Sequence, residues 1–214
     1  MHDQLVNKIG TTAAIAAAAE TTLFACSLVL GMAVRSPAGP IAGFIFSFFL
    51  APSVVVMMAA AYFRTPPDRK IVGLLALAAA VLYAPFCMGN YFIQLAVVST
   101  NPISIRPEPL KLISFIPGSP AFALDMLGYA FLCLTTLAAA FTLPDPRDRA
   151  LRVLCLVHGA LVLPTLAAPV MSGMYRSGDG GANDIGNWVL LFWCAIYAPI
   201  ALLFARYFGR IQRG

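Results

Sequence analysis

The chain has 214 residues, of which 60% are hydrophobic and only 11% charged, with a mean hydropathy of +0.84 and a net charge of +5. Such a composition excludes an ordinary soluble globular domain. The positive charge follows the loops and ends of the apolar runs, so topology explains it better than a nucleic-acid partner does. The expectation is an all-α polytopic membrane protein: one six-helix transmembrane domain over residues 1–214, with both termini cytoplasmic.

Crossing a ~30 Å hydrocarbon core takes roughly 20 helical residues. Apolar runs of that order occur near 11–34, 41–63, 71–98, 121–143, 150–175 and 188–208. They are continuous, rich in Ala, Leu and Val, and about twice the length of a tilted barrel strand, which excludes a β-barrel. The opening residues MHDQLVNKIG lack the cationic start, short apolar core and cleavage site of a signal peptide, so the first span is expected to stay in the membrane.

Ten basic residues fall on one side: Lys8, Arg64, Arg69, Lys70, Arg147, Arg149, Arg152, Arg206, Arg210 and Arg213. Four fall on the other: Arg35, Arg106, Lys111 and Arg176. The positive-inside rule therefore puts the termini in the cytoplasm, and the expected location is the bacterial inner membrane, with the lipid bilayer as the first partner. Tyr62, Tyr175, Trp188 and Tyr207 stand at span ends, where an aromatic belt belongs.

The first span carries Glu20 near mid-membrane, on a face with Ser27. Five prolines, Pro52, Pro85, Pro164, Pro169 and Pro199, are expected to interrupt four helices, which is tolerated where the break faces protein or a cavity. The third span holds GNYFIQLAVV, where Tyr83, Cys87, Asn90 and Gln94 recur at spacings of four, three and four and so share one face.

The loop after it, 99–120, has five prolines and an apolar patch of Leu110, Leu112, Ile113, Phe115 and Ile116. It is expected either to lie on the membrane surface or to cap a cavity. The fourth span carries Asp125, Tyr129, Leu132 and Thr136 on one stripe; the fifth aligns His158, Thr165 and Ser172. The fifth loop, RSGDGGANDIGN, reads as a flexible hairpin, and Asp179 with Asp184 is too few carboxylates for a calcium loop.

A parallel echo at an offset of 84 residues relates Leu82–Pro85, Gly89 and Tyr91 to Leu166–Pro169, Gly173 and Tyr175, as a duplicated hairpin would. The five cysteines lie on five different spans with no C-x-x-C pair and read as small packing residues.

Acids are costly at membrane depth and normally face a bundle interior or a wet cavity. Of the nine, only Glu20 and Asp125 are placed there, with no Lys or Arg in a span to neutralise them, and both are expected to rest protonated. One interior polar pocket, deeper at Glu20 and open or lidded outside, would account for all the stripes. Asn90 and Gln94 can equally be interhelical hydrogen-bonding glue, and His158 a packed neutral residue.

P-loop, G-x-G-x-x-G, H-E-x-x-H and G-x-S-x-G motifs are absent, as are clustered aspartates for magnesium-assisted diphosphate ionisation and a second intramembrane histidine for haem. No metal and no cofactor is expected. What remains is proton chemistry: a protonated carboxyl can donate to an alkene or epoxide while aromatic faces stabilise a carbocation.

Two acids on separate helices among aromatics are similar to the arrangement in small integral-membrane terpene cyclases; the likeness is in size, helix count and acid placement, and no residue is carried over. NYFIQLAVV and SPAFALDMLGYAFL resemble segments of uncharacterised bacterial six-helix membrane proteins, a likeness that covers the third and fourth spans and implies no activity.

Three readings follow. In the first, a membrane enzyme isomerises or cyclises a lipophilic, isoprenoid-like substrate by acid–base chemistry. Asp125 and Glu20 are its catalytic residues, and Asn90, Gln94, Tyr91, Tyr83, Tyr129 and Phe92 bind substrate. The second is a proton-coupled carrier of a small organic solute, expected as a homodimer. The third is a sensor or assembly protein whose polar residues only hold helices together.

Overall fold

A computed structural model describes residues 2–34, 38–101, 108–174 and 181–211. Expectations placed on Arg35, Arg106, Tyr175, Arg176, Asp179 and Arg213, and on the side chains of Ser172 and Asp184, lie outside the described residues. No strand occurs among the described residues. The helices are α1 (His2–Val34), α2 (Ala38–Arg64), α3 (Lys70–Ile93), a short α4 (Glu108–Ile113), α5 (Pro120–Ala140), α6 (Arg149–Ala160), α7 (Val162–Met174) and α8 (Gly181–Ile211). Taken with their flanking turns they provide six segments long and apolar enough to cross a membrane.

The segments pack in chain order: α1 on α2, α2 on α3, α3 on α5, and α5 on α6 and α7. α8 closes the ring against α6 and α1. The centre is filled rather than hollow, with Leu50, Met57, Met58, Tyr83, Leu132, Tyr197, Ile200, Phe204 and Phe208 all buried. Leu75, Leu163, Val170 and Trp188 point outward, the arrangement expected when lipid rather than water is the solvent. Scattered hydroxyls in this apolar setting are satisfied locally: Thr21, Thr65, Thr135 and Thr165 each donate to the carbonyl four residues back.

Several boundaries differ from the sequence reading. α1 begins at His2 rather than near residue 11, because its first turns are held by Arg64, which pairs with Asp3 at 3.3 Å and donates to Asn7 at 2.7 Å. α8 begins at Gly181, so the second half of the Gly/Asp-rich fifth loop is helical.

The fifth span is broken at Leu161 into α6 and α7. Pro164 has no N–H for the carbonyl of Ala160, and its ring crowds that carbonyl, so the turn closes instead by a 3.1 Å bond from Leu161 N–H to His158. The other four prolines interrupt nothing: Pro52, Pro85, Pro169 and Pro199 all sit inside helices.

At its C-terminal end α3 loosens into a π turn over Gln94–Val98, where Ser99 N–H reaches back five residues to the Gln94 carbonyl at 2.8 Å. Approach of α5 to α3 depends on Gly128. A Cβ there would stand 2.8 Å from Cys87 Sγ and 3.0 Å from Phe86 Cβ, so any side chain would push the helices apart one turn from Asp125.

Candidate functional site

The two predicted stripes face each other across the α3–α5 contact. Tyr83, Cys87, Asn90 and Gln94 are all buried, as are Asp125, Tyr129, Leu132 and Thr136. Asp125 is 0% exposed. Its Oδ2 accepts from the Tyr91 hydroxyl at 3.1 Å, and that hydroxyl lies 2.9 Å from the Tyr129 hydroxyl. An acid and two phenols thus form one chain of exchangeable protons. Cys87 and Asn90 flank the same carboxyl. Even so, Asp125 Oδ1 and the Asn90 amide nitrogen are both buried without a partner in hydrogen-bonding geometry.

The described part of the segment between α3 and α5, from residue 108 onward, packs over this centre. The Gln94 side-chain amide clamps the loop's main chain from both ends: Nε2 donates to the Ile113 carbonyl at 2.7 Å, and Oε1 accepts from Phe115 N–H at 2.9 Å. The same Nε2 lies 3.3 Å from Asn90 Oδ1.

Phe115 then packs on Phe44 at 6.2 Å and on Phe122 at 5.6 Å, and Phe44 stacks on Tyr91 at 5.9 Å. Gly118, with φ of 84°, turns the chain into Ser119, whose hydroxyl caps α5 by accepting from Phe122 N–H and donates to the Ser114 carbonyl at 2.8 Å. The two amides of the third span are therefore not equivalent. Gln94 is spent on the lid, while Asn90 keeps a free donor beside the acid.

Inward of the acid, aromatic rings continue to the middle of the bundle. Tyr129 meets Tyr83 at 6.1 Å and Trp193 at 5.0 Å, and Trp193 stacks on Tyr197 at 4.9 Å. His158 contacts both, at 5.1 and 5.2 Å, and its Nδ1 lies 2.7 Å from the Thr136 hydroxyl. Trp193 and Tyr197 were not among the predicted site residues, although their spacing of four, continued by Ile200, Phe204 and Phe208, is a buried helical stripe that the sequence displays.

Glu20 stands apart from this centre, half-buried between α1 and α2, where Ser53 donates to its Oε1 at 3.1 Å. No hydrogen bond joins it to the Asp125 network, but it lies within electrostatic reach of Tyr197, which in turn lies within reach of Tyr83 and so of Asp125. Ser27, predicted on the same face, bonds its own helix at the Phe24 carbonyl. Phe92 is 61% exposed on the outside of the bundle, one residue and about 100° around the helix from Tyr91.

The five cysteines are free thiols, four of them buried. No group of three or more His, Cys, Asp or Glu side chains able to hold a metal occurs among the described residues. Comparisons with protein-family models, with curated proteins and with solved structures found no match for this chain.

Proposed function

We propose that this chain is an integral membrane enzyme in which Asp125 is the general acid for isomerising or cyclising a lipophilic, isoprenoid-like substrate. The observation that carries the reading is the pairing of a fully buried carboxyl, lacking any cation, with the Tyr91–Tyr129 hydroxyl pair under an aromatic lid. A carboxylic acid in such surroundings holds a proton it can deliver, and the phenols can return one. The ring faces of Tyr91, Phe44 and Tyr83 supply the electron density a cationic intermediate needs.

In this reading Tyr91 and Tyr129 relay the proton, Asn90 positions it, and Gln94 holds the lid. Glu20, on the far side of the aromatic column, is the second acid or base reached through Tyr197 and Tyr83.

The decisive experiment is mass spectrometry of what co-purifies in mild detergent with wild type and with Asp125→Asn. The expected result is a lipid substrate enriched in the variant and a product in the wild type, with folded yield unchanged. Identical lipid profiles would remove the assignment.

One observation favours a second reading, the proton-coupled carrier. Buried polar atoms without partners run through the bundle: Asp125 Oδ1, Tyr83 and Tyr197 hydroxyls, His158 Nε2 and Glu20 Oε2. The two carboxyls are stations where a proton can load, and a hydroxyl between them can pass one on by giving up its own proton as it accepts another. This reading expects pH-gradient-driven uptake in vesicles that is lost in both Glu20→Gln and Asp125→Asn.

A further inference from the structure

The opposite end of the bundle, where the N-terminus of α1 meets the end of α8, carries a groove of about 670 Å³ between α1, α6 and α8. Its wall is divided by chemistry. Arg147, Arg206 and Arg210 line the end near the helix termini, while Ile15, Leu151 and Leu202 line the part that runs toward the middle. Leu202 lies eight residues before Arg210 on α8, which is about 12 Å along the axis, and Ile15 and Leu202 are both exposed on the bundle's flank. A polar head held at the arginines would therefore place the start of a hydrocarbon chain against these two residues.

The charge is not neutralised from within. Asp148, the acid in the groove, is buried and paired with Arg210. Asp145, in an adjoining hollow of about 280 Å³, caps the turn before α6 by accepting from Arg147 N–H at 2.8 Å. The Arg147 and Arg206 side chains are exposed and have no ion pair or side-chain hydrogen bond among the described residues. The two guanidiniums thus overhang an apolar slot with their charge unused.

We infer that this groove is a binding site for an anionic phospholipid of the leaflet facing the basic end, its phosphate held by Arg147, Arg206 and the outer face of Arg210 and its acyl chain laid against Ile15 and Leu202. The occupant is a lipid rather than a free phosphate because the groove is mostly apolar and its exposed Leu202 lies about 12 Å along α8 from Arg210, within reach of a chain whose head sits at the arginines. Arginine suits the role, since its fork matches phosphate oxygens two at a time. The site is separate from the Asp125 centre and does not depend on its chemistry.

The test is lipid binding by native mass spectrometry with three probes: dioleoyl phosphatidylglycerol, dioleoyl phosphatidylcholine and inorganic phosphate. Wild type should retain the glycerol lipid at least tenfold better than the choline lipid. Arg147→Gln/Arg206→Gln, which breaks no observed contact, should lower that retention roughly 25-fold, at about fivefold per arginine. Lys8→Gln/Arg149→Gln removes two charges from the same end but outside the groove and should leave retention unchanged.

Leu202→Trp, which fills the apolar part, should also displace the lipid. Equal retention of the two lipids, an equal loss in both double variants, or competition by inorganic phosphate at concentrations matching the lipid would each overturn the inference.

Discussion

Asp125 and Asp148 are both buried carboxylates, 0% and 4% exposed, yet they are surrounded in opposite ways. Asp148 faces Arg210 at a helix end. Asp125 faces two phenols, a thiol and an amide, with no cation among its partners. Paired with Arg210, the first ties the turn before α6 to the end of α8. The second has no cation to balance a charge, and the proposed acid chemistry rests on that difference. The contrast teaches that burial alone does not mark a chemical site; the identity of the neighbours does.

The comparison is broken most forcefully at the paired acid. Arg210→Ala leaves Asp148 without its cation and should destabilise the bundle by about 3 kcal/mol, read as a lowered Tm in detergent, with much of the loss recovered on adding Asp148→Asn. At the lid, Gln94→Leu removes the bond to Asn90 and both bonds to the loop, and strands the Ile113 carbonyl and Phe115 N–H, at a cost of about 2 kcal/mol. Hydrogen exchange should rise selectively at Phe115.

The smallest effect belongs to Asp125→Asn, which keeps shape and hydrogen-bonding capacity and should move stability by less than about 1 kcal/mol. A loss as large as that of Arg210→Ala would mean that Asp125 is ionised and structural after all.

Much of this arrangement was legible in the sequence, and the reason is periodicity. Apolar runs of membrane length located the six spans, and the four-three-four spacing of Tyr83, Cys87, Asn90 and Gln94 placed the site on the face that packs against α5. The acids were conspicuous because carboxylates are rare at such depth. What escaped was information that is not periodic.

Phe92 stands in the same aromatic stretch as Tyr91, yet neighbours on a helix point about 100° apart, and Phe92 faces away from the centre. The different fates of Asn90 and Gln94 depend on a loop nineteen and more residues away, whose main chain Gln94 grips; nothing local to either amide foretells it. Pro164 signalled a break, but so did four other prolines that stay within helices, so the residue type could not identify which one interrupts its span. GANDIGN carries the residues of a turn, yet the helix that follows extends back through them to Gly181.

The Gln94 clamp has one more consequence. Its two hydrogen bonds to the loop go to the peptide groups at 113 and 115 and to none of the loop's side chains. The latch therefore constrains the path of the segment but not its spelling, and the rings and aliphatic groups the loop presents inward can be exchanged while the closure survives. Proline is excluded at 115, which gives its N–H to Gln94, and at 114 and 116, whose N–H groups donate to the Lys111 and Ser114 carbonyls. A library that randomises residues 110–116 with proline excluded throughout would vary the side chains laid over the Asp125 centre without altering how the segment is latched.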